Sequence, residues 1–282
     1  MTTSVPVPAL DRDLIGKLRA DAIASRWSVE HLQTMLSAAA LDALMRDSRL
    51  PALVELAEQE DPAATLTRFF ILGVPARASA LDQALPSLGA LGLEALGLAA
   101  AIDEADAILA LPRLCAKRVG AQEATARPAT TVPAMTDPGG EASGSVEASD
   151  PWMRALFDLR PHAATTPDGD HEWWVASDLS EVRTGEPLCD DHVLGIGGAT
   201  LTLLEMTVRE SVESALDVGC GCGIQALYLA THASRVVATD LSARACALTQ
   251  FNAALNEATI DVREGSLFEP VAGETFDLSV TN

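Results

Sequence analysis

Apolar residues recur at spacings of three and four from about residue 10 to residue 111, with few aromatics and few β-branched runs, which predicts a succession of helices. Ser28, ahead of Val29, Glu30 and Leu32, has the character of an N-cap. Asp61-Pro62 opens a further helix through Thr65, Leu66, Phe69 and Phe70, with Gly73 as its stop. Pro75, Pro86, Gly89 and Gly92 punctuate the next stretch, so these helices are short. From Gln122 to Asp150 no Leu, Ile, Phe, Tyr or Trp occurs, and this stretch, about 121–150, reads as a disordered insertion that cannot contribute to a core. Strand-like alternation follows at 153–159 and 172–179, and the Pro-, Thr- and Gly-containing turn between them predicts a hairpin. Short helices followed by a two-stranded ribbon have the layout of a winged helix, with the insertion just before the wing. Trp173 and Trp174 face opposite sides of their strand, so at most one can serve any single ligand, and packing into a core is the competing role.

From residue 186 the pattern changes. Asp191 to Gly198 is a glycine-rich lead into a helix at 201–208, after which strands at 215–218, 235–239, 260–263 and 276–280 alternate with helices at 224–231 and 242–256. This order predicts a parallel sheet with right-handed crossovers. The fold class is therefore α/β, with a mainly helical, winged-helix-like domain over 1–185 and an α/β domain over 186–282.

Composition narrows the partners. The chain has 282 residues, 48% of them hydrophobic, which is material enough for two cores. Nineteen basic against forty acidic residues leave a formal charge of −21, which disfavours DNA or any polyphosphate. Five cysteines without metal-type spacing, apart from the close pair Cys220 and Cys222, fit a reducing cytoplasm, and no metal site is expected. No uninterrupted apolar stretch reaches the length of a membrane span, so no membrane partner is expected either. The histidines His31, His162, His171, His192 and His232 show no metal or triad spacing.

The chemistry concentrates in Asp217-Val218-Gly219-Cys220-Gly221-Cys222-Gly223, between a buried strand and a helix. Alternate glycines let the backbone turn sharply and let a ligand approach main-chain atoms that a Cβ would block. About twenty residues on, Asp240 ends the next strand, where a carboxylate can take both hydroxyls of a ribose. Together these specify a nucleoside-containing ligand at the carboxyl edge of the sheet. The nicotinamide fingerprint needs G-x-G-x-x-G, and here Ile224 fills the third glycine's place. Bland roles compete: Asp217 can cap the following turn, Asp240 can cap the helix near Ser242, and Ser266 can be an ordinary loop residue.

The D-x-G-x-G-x-G form resembles the first motif of class I S-adenosylmethionine-dependent methyltransferases, a family with a Rossmann-like sheet, of which the first four strands are present here. Glu264-Gly265-Ser266-Leu267-Phe268 is similar to the segment that contacts the cofactor's adenine in that family. The segment 276–282 resembles its fourth strand running into an N-P-P-[YF] motif, of which only Asn282 is present. The match resembles the HemK-like, methyltransferase small-domain branch, and more narrowly actinobacterial proteins with a winged-helix-like N-terminal domain; DHVLGIGGATLTL and REGSLFEPVAGETFDLSVTN carry that part. One departure stands out: the branch's glutamine methyltransferases carry a proline-rich segment ending in acid, and this chain has 195–200 without one.

The resemblance implies S-adenosylmethionine as cofactor, held by Asp217, Gly219, Gly221, Gly223, Asp240, Leu241, Ser266 and Leu267. It implies Asn282 as the catalytic residue, its side-chain carbonyl orienting a target NH2 for in-line displacement at the sulfonium methyl. The expected activity is methyl transfer to an amide or exocyclic amino nitrogen, in a protein glutamine, an RNA base or a small molecule. A module that only binds S-adenosylmethionine, or an inactive fragment, is the alternative, because the second carbonyl of the motif has no residue here. The parent protein is expected to continue past Asn282.

Overall fold

The computed structural model of the protein describes residues 6–46, 48–108, 150–166 and 168–281. Its N-terminal half is a run of short helices: α1 (Arg12–Ala24), α2 (Val29–Met35), α3 (Ala38–Met45), α4 (Leu50–Leu56), α5 (Pro62–Leu66), α6 (Ala78–Ala84) and α7 (Gly89–Ala95). Side chains cap several of them as the sequence predicts: Ser28 Oγ accepts the His31 N–H, and Asp61 accepts the Ala63 N–H ahead of Pro62. The helix opened by Pro62 widens into a π turn over Thr67–Ile71, and Gly73, at φ +75°, ends it.

Two strands in this half correct the sequence reading. β1 (Ala76–Arg77) and β2 (Ala99–Ile102) lie inside the stretch predicted to be all helical, and β3 (Trp152–Ala155) pairs antiparallel with both in the order β1-β3-β2. β2 is Ala-Ala-Ala-Ile, and alanine's helix propensity hid a strand that only its partner makes. β2 and β3 pair as an antiparallel ribbon with the insertion between them in sequence, and the hairpin expected after the insertion is present as a second ribbon further on. Residues 121–149 of that insertion, and Cys115, lie outside the described residues.

The strand predicted at 153–159 is two strands. At Leu156, whose N–H donates to the Leu98 carbonyl, the chain leaves the first sheet and enters a separate ribbon of β4 (Phe157–Thr166) and β5 (Gly169–Asp178), in register from Phe157 opposite Asp178 to Thr166 opposite Gly169. A one-turn helix, α8 (Glu181–Thr184), and a loop lead to α9 (Gly198–Met206). Then come β6 (Val212–Val218), α10 (Ile224–Leu229), β7 (Ala233–Asp240), α11 (Ala243–Leu255), β8 (Asp261–Glu264) and β9 (Leu278–Thr281), whose strands form a parallel sheet in the order β8-β7-β6-β9. The predicted order of strands and helices in this half is the observed one, and α9 starts three residues earlier than expected, at Gly198.

The sequence pattern groups the β4-β5 ribbon with the N-terminal domain, yet both halves bury it. On one face Trp174 donates its indole N–H to the Trp27 carbonyl, at 2.9 Å, while Trp27 itself donates to Thr67 Oγ1. On the other, Trp173 meets Tyr228 of α10 edge-on, with ring centroids 4.9 Å apart. Both tryptophans are core residues. Along its free edge β5 is met by α11: Asn256 Oδ1 accepts the Trp174 N–H and its Nδ2 donates to the Trp174 carbonyl, and Asn252 does the same for Ala176. Arg19 of α1 donates to the Leu255 carbonyl at the end of α11. One apolar cluster accordingly runs from Ile15 and Leu18 through Phe69, Phe70 and Trp174 to Leu248, Phe251 and Leu255.

Asn256 is buried, so Asn256→Ala leaves the Trp174 N–H and C=O without partners and without water. Each such group costs about 1–3 kcal/mol, and the substitution is expected to destabilise the protein by about 2–4 kcal/mol. Urea unfolding followed by tryptophan fluorescence measures it; an unchanged midpoint refutes the edge-capping role.

Candidate cofactor site

The site lies where β6, β7, β8 and β9 end. β6 delivers Asp217, 2% exposed, whose Oδ2 accepts the Ala226 N–H at 3.1 Å, so this carboxyl caps α10. Burial, with the nearby Asp240 charge adding to it, pushes its pKa up to about 7. The loop beyond turns on three glycines in the left-handed region, Gly219 at φ +78°, Gly221 at +54° and Gly223 at +81°. A Cβ on Gly219 or Gly221 would meet nothing within 4 Å, so the backbone there faces open space. At Gly223 a Cβ would stand 2.8 Å from Thr249 Cγ2, so helix α11 as well as φ demands glycine.

Backbone bonds fix the loop to β7. The Gly219 and Cys220 N–H groups both donate to the Thr239 carbonyl, at 2.8 and 3.0 Å. Asp240 closes the structure from the other side: its Oδ2 accepts the Gly221 N–H at 3.0 Å and its Oδ1 the Ser242 N–H at 2.9 Å. The cap of α11 is Ser242, which accepts the Ala245 N–H, so the competing role of Asp240 falls to its neighbour. The Asp240 carbonyl in turn accepts the Gly265 N–H, and Gly265, at φ +153° with Pro270 Cγ 2.5 Å from where a Cβ would sit, starts the turn carrying Ser266, Leu267 and Phe268.

The sequence-predicted residues Asp217, Gly219, Gly221, Gly223, Asp240, Leu241, Ser266 and Leu267 therefore gather at one edge. Leu241, Leu267 and Phe268 are 74%, 66% and 59% exposed there, an unusual outlay of apolar surface beside a polar loop and suited to the faces of a flat base. Thr281, the last described residue, pairs with Val218, which brings the end of β9 beside the loop; Asn282 lies outside the described residues.

Cys220 and Cys222 part company: Cys222 enters the large apolar cluster, while Cys220 lies in a smaller one with its Sγ 3.2 Å from Thr249 Oγ1. Burial pushes the Cys222 thiol up to about 11. Among the described residues no group of three or more His, Cys, Asp and Glu side chains could hold a metal ion, and no helix is long and apolar enough to cross a membrane. Sequence reasoning missed Thr249 and Asn252. The signal for both was present as polar residues at helical spacing on the buried face of α11.

Comparison with known proteins reaches the same span. Residues 195–282 match the family described as methyltransferase small domain, and residues 24–111 match a family described as a domain of unknown function, DUF7059. The C-terminal part of the chain is thus similar to methyltransferases over residues 195–282. More particularly, it is similar to release factor glutamine methyltransferases. That of Deinococcus radiodurans is 35% identical over 150 residues, 51% of this chain and 50% of that protein; that of Geobacter sulfurreducens is 39% identical over 87 residues, 29% and 31%. The chain thus spans half or less of the length of these curated relatives. The solved T. thermophilus 16S rRNA N2 G1207 methyltransferase in complex with AdoMet and guanosine is 19% identical, covering 49% of this chain and 39% of that one with a TM-score of 0.34.

Asp217 sets a pH dependence of stability. The folded protein keeps its proton up to about pH 7, whereas the unfolded chain releases it near 3.8, the ordinary value for an aspartate. Between those limits the folded state holds this extra proton, so the Asp217 contribution to stability is greatest below the lower value, falls as pH rises and levels off above about 7. The difference between the urea midpoints of the wild type and of Asp217→Asn is expected to fall across this range; parallel profiles would contradict the assignment.

Proposed function

We propose that the protein is an S-adenosylmethionine-dependent methyltransferase acting on an amide or exocyclic amino nitrogen. The observation that carries this reading is the loop from Asp217 to Gly223, open above Gly219 and Gly221 and bound through the Gly221 N–H to the Asp240 carboxylate at the carboxyl edge of a parallel sheet. In this reading Asp240 holds the ribose hydroxyls with its remaining lone pairs, and Leu241, Leu267 and Phe268 flank the adenine. Ser266 lies beside them, and Gly219 and Gly221 let the backbone approach the methionine part. S-adenosylmethionine supplies an activated methyl group on a sulfonium, so the protein has chiefly to position an acceptor lone pair in line with the carbon–sulfur bond. Asn282, following β9, is assigned to that positioning. Its side-chain carbonyl accepts a hydrogen of the target NH2 and aims the nitrogen. The winged-helix-like part is assigned to presenting the acceptor.

The names of the curated relatives and the charge of −21 both favour a protein amide over a nucleic-acid base as acceptor. The missing acid at 195–200 argues for a different surrounding sequence from that of the relatives' substrate. Free thiols at Cys189, Cys220, Cys222 and Cys246 go with a reducing, cytoplasmic setting.

Isothermal titration is expected to show one S-adenosylmethionine site and no heat with NAD. Asp240→Ala should weaken the affinity by at least about tenfold, as expected for a charge-assisted bond lost together with the loop's anchor. Absence of S-adenosylmethionine binding by the wild type would overturn the proposal.

A further inference from the structure

Helix α11 carries a buried polar stripe in which Thr249, Asn252 and Asn256 stand at helical spacing among Ala245, Leu248, Phe251 and Leu255. Asn252 is fully buried, and its amide has three partners on two segments. Oδ1 accepts the Ala176 N–H at 2.8 Å, and Nδ2 donates both to the Ala176 carbonyl at 2.9 Å and to the Cys222 carbonyl at 2.8 Å. One turn earlier Thr249, 1% exposed, donates its hydroxyl to the Gly221 carbonyl at 3.0 Å, and its methyl fills the space that forbids a Cβ at Gly223. One turn later Asn256 binds Trp174 of the ribbon and, through Nδ2, the Asn252 carbonyl of its own helix, with no hydrogen bond to the glycine loop.

A buried amide is costly unless every group is met, and here the groups met are the carbonyls of a loop whose three left-handed glycines have no rigidity of their own. The same Nδ2 serves the ribbon and the loop, so neither can shift alone without leaving a buried polar group unpaired. We infer that Asn252 and Thr249 are positioning residues that hold the cofactor loop in its binding shape, and that Asn252 makes that shape conditional on docking of the β4-β5 ribbon. This rests on the proposed reading of the loop as the S-adenosylmethionine site.

The matched pair Asn252→Asp and Asn256→Asp tests it, since each keeps an acceptor for a β5 N–H and loses a donor to a β5 carbonyl, while only the former loses the loop. Both should lower Tm to a similar extent. Titration with S-adenosylmethionine, at a temperature where circular dichroism shows every variant folded, should give an affinity about tenfold weaker for Asn252→Asp and within about twofold of wild type for Asn256→Asp. Thr249→Val, which keeps the shape and removes the hydroxyl, should also weaken binding several-fold, and it carries the test if Asn252→Asp does not fold. Wild-type affinity in both Asn252→Asp and Thr249→Val, or equal losses in the two asparagine variants, overturns this inference and leaves the cofactor site standing. A wild type that does not bind S-adenosylmethionine overturns both.

Discussion

A strand edge buried inside a protein must have its N–H and C=O groups met, and in this molecule two side-chain amides meet them. β5 pairs with β4 on one side; on the other its alternate residues Trp174 and Ala176 turn their backbone groups toward α11, where Asn256 and Asn252 replace a neighbouring strand. That contact places the ribbon between the N-terminal helices and the parallel sheet. It lets Trp174 reach Trp27 on one face and Trp173 reach Tyr228 on the other, and it merges the two halves into one apolar cluster.

The carboxyl edge of the sheet separates two acids by environment. Asp217, sealed under α10 with one N–H for company, retains its proton to about pH 7. Asp240, at the surface end of its strand, receives two backbone N–H groups and keeps lone pairs for a ligand. The buried acid shapes the start of α10, and the more accessible one couples the glycine loop to the turn after β7. In the proposed reading, recognition of a nucleoside and construction of the loop share one carboxylate.

Local rules made part of this legible. Gly219, Gly221 and Gly223 are suited to being glycines because each has positive φ, so the sharp turn of the loop could be read without a structure. Caps at Ser28 and Asp61 were equally local. The features that escaped depend on distant partners. β2 is three alanines and an isoleucine, a strand only because β3 lies beside it. The break at Leu156 and the dual allegiance of the ribbon are set by Leu98 and by α11, far away in sequence. Asn252 escaped because an asparagine in a helix has no local rule that aims it at a carbonyl thirty residues earlier.

The N-terminal half is a run of short helices with a small antiparallel sheet, β1-β3-β2. α7, between α6 and β2, is Gly-Ala-Leu-Gly-Leu-Glu-Ala, with no cation and with Leu91 81% exposed. Binding to a phosphate backbone draws its affinity from lysines and arginines that displace counterions, and a helix of this composition in a chain of charge −21 has none to give. Two arginines of this half serve the fold: Arg49 donates to the Leu72 carbonyl, and Arg68 to the Gln59 carbonyl. With those two cations held by backbone carbonyls and Leu91 on the surface of α7, this helix brings no cationic side chain to a phosphate backbone, and the half that contains it joins the parallel sheet through the ribbon that α11 clasps.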